Sequence, residues 1–123
     1  SVFERKAVVA DTVEVDQSIY DAVHTGMYNV ANSADGSAYA VFGSYPYKVA
    51  AKTGTAQLGE AITNNGVFIC YAPYDDPQIA IAVVVEKGGA GSKIAGIARD
   101  VLDYYFSFKN SSVSLETENS LLK

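Results

Sequence analysis

Cysteine is nearly missing from this chain. Cys70 is the only one among 123 residues, which excludes an internal disulfide, a thiol-rich zinc site and a Cys-x-x-Cys redox pair. With apolar neighbours in Phe68-Ile69-Cys70-Tyr71, it reads as a small buried hydrophobe and not as a reactive thiol. Positive charge is scarce too: 9 Lys and Arg stand against 14 Asp and Glu, a net charge of -5 with no basic cluster. That balance argues against nucleic acid as a partner. No apolar run approaches the roughly 20 residues that span a bilayer. The N-terminus Ser1-Val2-Phe3-Glu4-Arg5-Lys6 lacks the pattern of a secretory signal, so any anchor or export signal is expected on sequence outside these residues. What is present is a chain 49% apolar, enough for one soluble globular domain at most, with a modest core.

The order of elements reads as helix, loop, three strands, helix, tail. Residues 1–15 alternate weakly through Val8, Val9, Val13 and Val15 and are read as an extended lead-in. From Ser18, the apolar residues Ile19, Val23, Met27 and Val30 recur at spacings of four, four and three, which places them on one helical face, with Asp16 or Ser18 as N-cap. Asn32-Ser33-Ala34-Asp35-Gly36 ends that helix. Residues 37–47 carry Tyr39, Tyr45 and Tyr47, are broken by Gly43 and Pro46, and form a short helix or loop. Strands are expected over 48–55, 67–72 and 78–86, the last two joined by the turn Pro73-Tyr74-Asp75-Asp76-Pro77.

The second and third strands are apolar at nearly every position, as in strands covered on both faces. One cover is a helix after Gly88-Gly89-Ala90-Gly91, with Ser92 as N-cap and Ile94, Ile97, Ala98, Val101, Leu102 and Tyr105 along one face. Ala80 and Ala82, on one side of their strand, would let a helix approach closely. The first helix is too short to cover the other face alone, so the remaining cover is expected on other sequence. From Lys109 the periodicity fades and a disordered polar tail is expected over 109–123. The fold class is therefore α+β: a three-stranded antiparallel meander packed by a C-terminal helix and preceded by an N-terminal one.

The most informative stretch is Lys52-Thr53-Gly54-Thr55-Ala56-Gln57, at the end of the apolar run Val49-Ala50-Ala51. Together with Asn65-Gly66-Val67-Phe68-Ile69-Cys70-Tyr71-Ala72-Pro73, then Ile79 to Glu86, then Ala98-Arg99-Asp100-Val101-Leu102-Asp103-Tyr104-Tyr105-Phe106, it resembles the C-terminal part of a penicillin-binding protein transpeptidase domain. That domain belongs to the penicillin-binding and serine β-lactamase-like superfamily. The order and spacing are similar to the class B kind of Gram-positive bacteria. The likeness covers residues 18 to 108, and residues 1–108 are read as the C-terminal portion of such a domain. Lys-Thr-Gly-Thr alone is a weak signal; followed by the Phe-x-x-x-Ala-Pro strand and the valine strand, it is a strong one.

The resemblance implies a pocket where Ser-x-x-Lys, Ser-x-Asn and Lys-Thr-Gly motifs converge. It implies that Lys52 supplies positive charge and assists proton transfer around the nucleophile, and that the hydroxyls of Thr53 and Thr55 bind the substrate's terminal carboxylate. Gly54 leaves room for a ligand along the strand, and the backbone N–H of Thr55 is one of two oxyanion-hole donors. The implied activity is peptidoglycan cross-linking by acyl transfer, with β-lactams as covalent inhibitors, at the extracytoplasmic face of a bacterial membrane. No cofactor or metal is implied. Ala51 stands where many relatives have glycine, and Gly36-Ser37-Ala38 where Gly-Thr-Ala is usual, Ser37 keeping the hydroxyl. Ser33, Ser37, Ser44, Ser92, Ser107 and Ser111 all lack a lysine three residues on. Ser-x-x-Lys is therefore expected to be missing, and the chain alone to be inactive. The partners implied are stem peptides, β-lactams, a part of the domain bearing Ser-x-x-Lys, and a second copy of the chain through its open strand edge.

Two other readings stay open from the sequence: a penicillin-sensing or binding module of the same fold, and a fragment of a serine β-lactamase. His24, the sole histidine, is expected on the surface, off the apolar face of the first helix. Asp75-Asp76 lies in a proline-bounded turn and is read as turn chemistry. Gly88-Gly89-Ala90-Gly91 lacks the Gly-Lys-Ser/Thr ending of a phosphate loop and is read as a strand-to-helix turn. Tyr45 and Tyr47 either border the substrate groove or pack on missing sequence.

Overall fold

In the computed structural model, which describes residues 8–57, 59 and 62–121, the helical spacing from Ile19 to Val30 becomes α1, Gln17–Asn32. Asp16 holds the N-cap position through its backbone carbonyl, which accepts from the N–H groups of Ile19 and Tyr20 and not through its side chain. Ser18 lies inside the helix. After a tight turn come α2, Tyr39–Phe42, and strands β1, Ala50–Ala56, β2, Asn65–Ala72, and β3, Ile79–Val85; α3 begins at Gly91. The sheet has order β1-β2-β3 with both pairs antiparallel, the expected meander. Residues 1–7 of the expected lead-in lie outside the described residues, and 8–16 enter no helix or strand.

Period-two alternation decides which residues meet α3. Register pairs Ala51 with Cys70 and Cys70 with Ile81, and pairs Thr53 with Phe68 and Phe68 with Val83. These residues share one face with Ala72, Ile79 and Val85, and there α3 lays Ile94, Ala95, Ala98, Leu102 and Phe106 against them. Phe42 of α2 stacks on Phe68 with ring centroids 5.9 Å apart, so α2 closes the same core. Cys70 is buried as expected, and burial pushes its thiol up to about 11.

The opposite face, whose remaining cover was expected on other sequence, is largely open among the described residues. Ile69 is 42% and Val84 66% exposed, and Ala80 and Ala82 are open as well. The helix that was expected to approach over the two alanines lies on the other side, against Ile79, Ile81 and Val83. α1 reaches the open face from its middle onward, where Met27 borders a cavity with Ile69, Tyr71, Ala80 and Ala82; Ile19 and Val23 remain exposed. The unbroken apolar pattern of β2 and β3 thus records two faces, of which the described residues cover one.

Three further expectations are corrected. His24 is half buried at the seam between α1 and β2, its Nδ1 2.5 Å from the Tyr71 hydroxyl and its ring stacked on Tyr20; it escaped notice because its partners lie on β2 and one turn earlier. Tyr45 and Tyr47 belong to the core and not to a groove edge. Tyr45 meets Phe42 edge-on, and Tyr47 stacks on Phe106 with centroids 3.8 Å apart. Burial first, and the Asp103 carboxylate second, hold the Tyr45 phenol far above its usual range. Finally, the backbone of α3 continues to Leu121 through the stretch expected to be a tail. No glycine or proline follows Gly96 to stop it.

Leu102 is fully buried, and Leu102→Ala is expected to cost about 2–5 kcal/mol. Val101→Ala, at a position 43% exposed on the same helix, is expected to cost under about 1 kcal/mol. Urea midpoints of the two variants check the contrast.

Candidate active site

β1 changes environment halfway along its length. Ala50 and Ala51 are completely buried, whereas Lys52, Thr55 and Ala56 are exposed and Thr53 and Gly54 lie between. The buried half is clamped by α1: the Asn32 amide donates to the carbonyls of Tyr28 and Val49, each at 2.8 Å. The Lys-Thr-Gly-Thr half emerges from that clamp at the edge of the sheet. An edge strand with one free side offers backbone groups to an extended ligand.

Strand alternation separates the four motif residues into pairs. Lys52 and Gly54 share the open face with Ile69 and Val67, their register partners. Thr53 and Thr55 share the α3 face, opposite Phe68 and Gly66. The Lys52 ammonium donates to the carbonyl of Thr53 at 2.5 Å, turned along its own strand. Thr53 Oγ1 lies 2.9 Å from Ser37 Oγ, from the turn between α1 and α2. The two threonine side chains therefore lie on the same side of the edge, two residues apart, while the lysine lies on the other. A ligand along the edge of β1 is reachable from both.

Gly54 is constrained by the neighbouring strand. A Cβ there would stand 3.3 Å from Val67 Cβ, in tight cross-strand contact. A stronger constraint comes from Gly91, at the start of α3: a Cβ would fall 2.1 Å from the Val67 carbonyl oxygen and 2.5 Å from that of Gly54. The end of α3 rests directly on the backbone of the motif strand. Gly66 helps by letting Ile94 lie across β2, where a Cβ would come 3.2 Å from Ile94 Cδ1. Sequence reading missed Gly91 and Asn32. The glycine run before α3 was visible, but nothing in it said which glycine touches the strand.

Comparison with known proteins identifies the family. The model of the penicillin binding protein transpeptidase domain matches residues 4–103. The chain belongs to the penicillin-binding protein transpeptidase domain family. It is a partial, class B domain. It is 33% identical over 120 residues to the peptidoglycan D,D-transpeptidase MrdA of Escherichia coli, covering 86% of this chain and 19% of that protein. To penicillin-binding protein 2A of Bacillus subtilis it is 35% identical over 116 residues, covering 83% of this chain and 16% of that one. Among solved structures, it is similar to Pseudomonas aeruginosa PBP2 in complex with WCK 5153, with a TM-score of 0.68 and 36% identity over 80% of this chain and 23% of that one. The chain thus spans about a fifth of the length of the curated relatives it matches. Similarity to the Escherichia coli and Pseudomonas aeruginosa proteins also means that the likeness is not confined to Gram-positive bacteria, as the motif spacing had suggested.

The expectation that Ser-x-x-Lys is missing does not hold. The six serines tested lack a lysine at the right spacing, but Ser120-Leu121-Leu122-Lys123 has it, at the far C-terminal end. Its side chains lie outside the described residues. Among the described residues, no three His, Cys, Asp or Glu side chains are grouped to hold a metal ion.

Gly91→Ala is expected to destabilise the protein by about 1–3 kcal/mol, because the new methyl can be placed only by moving α3 off β1. Gly96→Ala, where nothing lies within 4 Å, is expected to stabilise it by up to about 1 kcal/mol. Thermal melting of both variants should give shifts of opposite sign.

Proposed function

We propose that this chain is the Lys-Thr-Gly-bearing part of a serine-type peptidoglycan D,D-transpeptidase, and that a serine outside these residues is the nucleophile. One observation carries the reading. In a member of this family, the Lys52-Thr53-Gly54-Thr55 stretch is the half of an edge strand that emerges from cover. The names of the relatives support it, MrdA being called a peptidoglycan D,D-transpeptidase. The transpeptidase portion ends near residue 108, a bound supported by a family match ending at 103 and by Phe106 being the last buried residue among those whose burial is described; the backbone of α3 runs on past it to Leu121.

In this reading the serine oxygen attacks the carbonyl of the penultimate D-alanine of a stem peptide. The terminal D-alanine leaves with a proton, and an amine of a second stem peptide then displaces the serine from the acyl-enzyme. The stem peptide lies extended along the free edge of β1. Thr53 and Thr55 hydroxyls donate to its terminal carboxylate, and Lys52 supplies a positive charge that favours the deprotonated nucleophile. The Thr55 N–H and the serine's own N–H receive the negative oxygen of the tetrahedral intermediate, a contribution of about 10²–10³ in rate per donor. A β-lactam is attacked in the same place and stays attached. The open face of β2 and β3 and the free edge of β3 are covered by the part of the domain that carries the serine, the edge of β1 being left to the ligand, and membrane attachment lies outside these residues. In this reading none of the chain's own serines, Ser120 included, is the nucleophile, and the chain alone is inactive.

Intact-mass measurement after incubation with benzylpenicillin tests this reading on the full-length protein that contains this chain. A penicilloyl adduct that peptide mapping places outside residues 1–123, with no mass gain on the isolated chain, is the expected result. An adduct on the isolated chain, at Ser120 or any other serine, would overturn the assignment of roles. No adduct on either would overturn the transpeptidase reading itself.

A further inference from the structure

The turn that joins α1 to α2 holds one side chain that packing does not explain. Gly36 sits so close to the end of α1 that a Cβ would fall 2.4 Å from the carbonyl oxygens of Asn29 and Val30. The N–H of Gly36 donates to Ser33 O at 2.8 Å, and that of Ala38 to Val30 O at 3.0 Å; Ala38 itself is buried. Ser37 is therefore carried between two fixed neighbours and has little freedom of its own. It is exposed, and its hydroxyl meets Thr53 Oγ1 at 2.9 Å. A hydroxyl pair in contact with water exchanges one set of hydrogen bonds for another and adds little to stability. What it can set is direction.

We infer that Ser37 is a positioning residue for Thr53, fixing the Thr53 hydroxyl as a donor to the carboxylate of the ligand. The inference rests on the proposed role of Thr53 as a carboxylate-binding residue. Each hydroxyl has one proton and two lone pairs. A carboxylate only accepts, so Thr53 must spend its single proton on it. The bond between the two hydroxyls must then run from Ser37 Oγ–H to Thr53 Oγ1. Donation into Thr53 polarises its O–H and strengthens the outward bond. Without Ser37, Thr53 keeps the hydroxyl but is free to turn to another rotamer and donate elsewhere. The arrangement favours ligands that end in a carboxylate over those whose terminal oxygen is blocked.

The test compares acylation of the full-length protein by benzylpenicillin and by its methyl ester, followed by intact mass against time, in wild type, Ser37→Ala and Ser37→Thr. The ratio of the two rates is the readout, because a partly misfolded variant slows both ligands equally and leaves the ratio unchanged. In Ser37→Ala the acid-to-ester ratio is expected to fall about three- to tenfold, the range of one net hydrogen bond, and in Ser37→Thr to return to that of wild type. An unchanged ratio in Ser37→Ala, or equal losses for both ligands, would overturn the positioning role while the adduct on wild type left the transpeptidase reading standing. Absence of an adduct on wild type would remove both.

Discussion

A helix can rest directly on the backbone of a strand only where no side chain stands between them, and Gly91 is that position. Its Cα carries nothing, so the first turn of α3 sits on the peptide groups of Gly54 and Val67. The seat fixes one end of the helix, and its apolar residues Ile94, Ala98, Leu102 and Phe106 then fall on the sheet face of Phe68 and Cys70. The turn into that seat is held in place too: the N–H of Lys87 donates to Asn65 Oδ1, and that of Gly89 to the carbonyl of Asn64. Lys87 and Gly89 both have positive φ there. Further along α3, the Arg99 guanidinium donates to the carbonyl of Val41 at 2.8 Å and lies over the Tyr45 ring, so α2 is pinned by the same helix.

The second fixed point is the end of α1. Asn32 bridges the helix and the approach to β1 with two bonds from one amide nitrogen, and the turn that follows presses Gly36 onto the last helical carbonyls. The two anchorages act at opposite ends of β1: α1 on the Val49 carbonyl just before the strand, α3 on Gly54. Neither needs a large side chain on the strand itself, which is why a stretch as small as Ala50-Ala51-Lys52-Thr53-Gly54-Thr55-Ala56 can be held firmly and still leave its edge uncovered.

Much of this was legible in the sequence. The spacing of Ile19, Val23, Met27 and Val30 located α1, and the apolar runs bounded by Asn64-Asn65-Gly66 and Pro73 to Pro77 located β2 and β3, because these signals are local and periodic. The Lys-Thr-Gly stretch stood out for the same reason. What the residues could not disclose was which of two apolar faces this chain covers, since Ala80, Ala82 and Val84 are as apolar as Ile79, Ile81 and Val83. Pairings across 47 and 58 positions, His24 with Tyr71 and Arg99 with Val41, leave no local pattern either. Tyr45 and Tyr47 went unread because a tyrosine is equally suited to a groove and to a core, and only the positions of Phe42 and Phe106 decide between them.

The gradient of burial along β1 makes the strand a cantilever. Its root is embedded between α1 and the sheet, its underside is propped at Gly54 by α3, and its free length projects along the rim with β2 as a brace on one side only. A beam supported in this way is stiff against a load laid along it and needs no rearrangement to receive one. In the proposed reading, a peptide docking there would lose its own freedom without having to order the protein, and its binding energy would go into the contacts it makes.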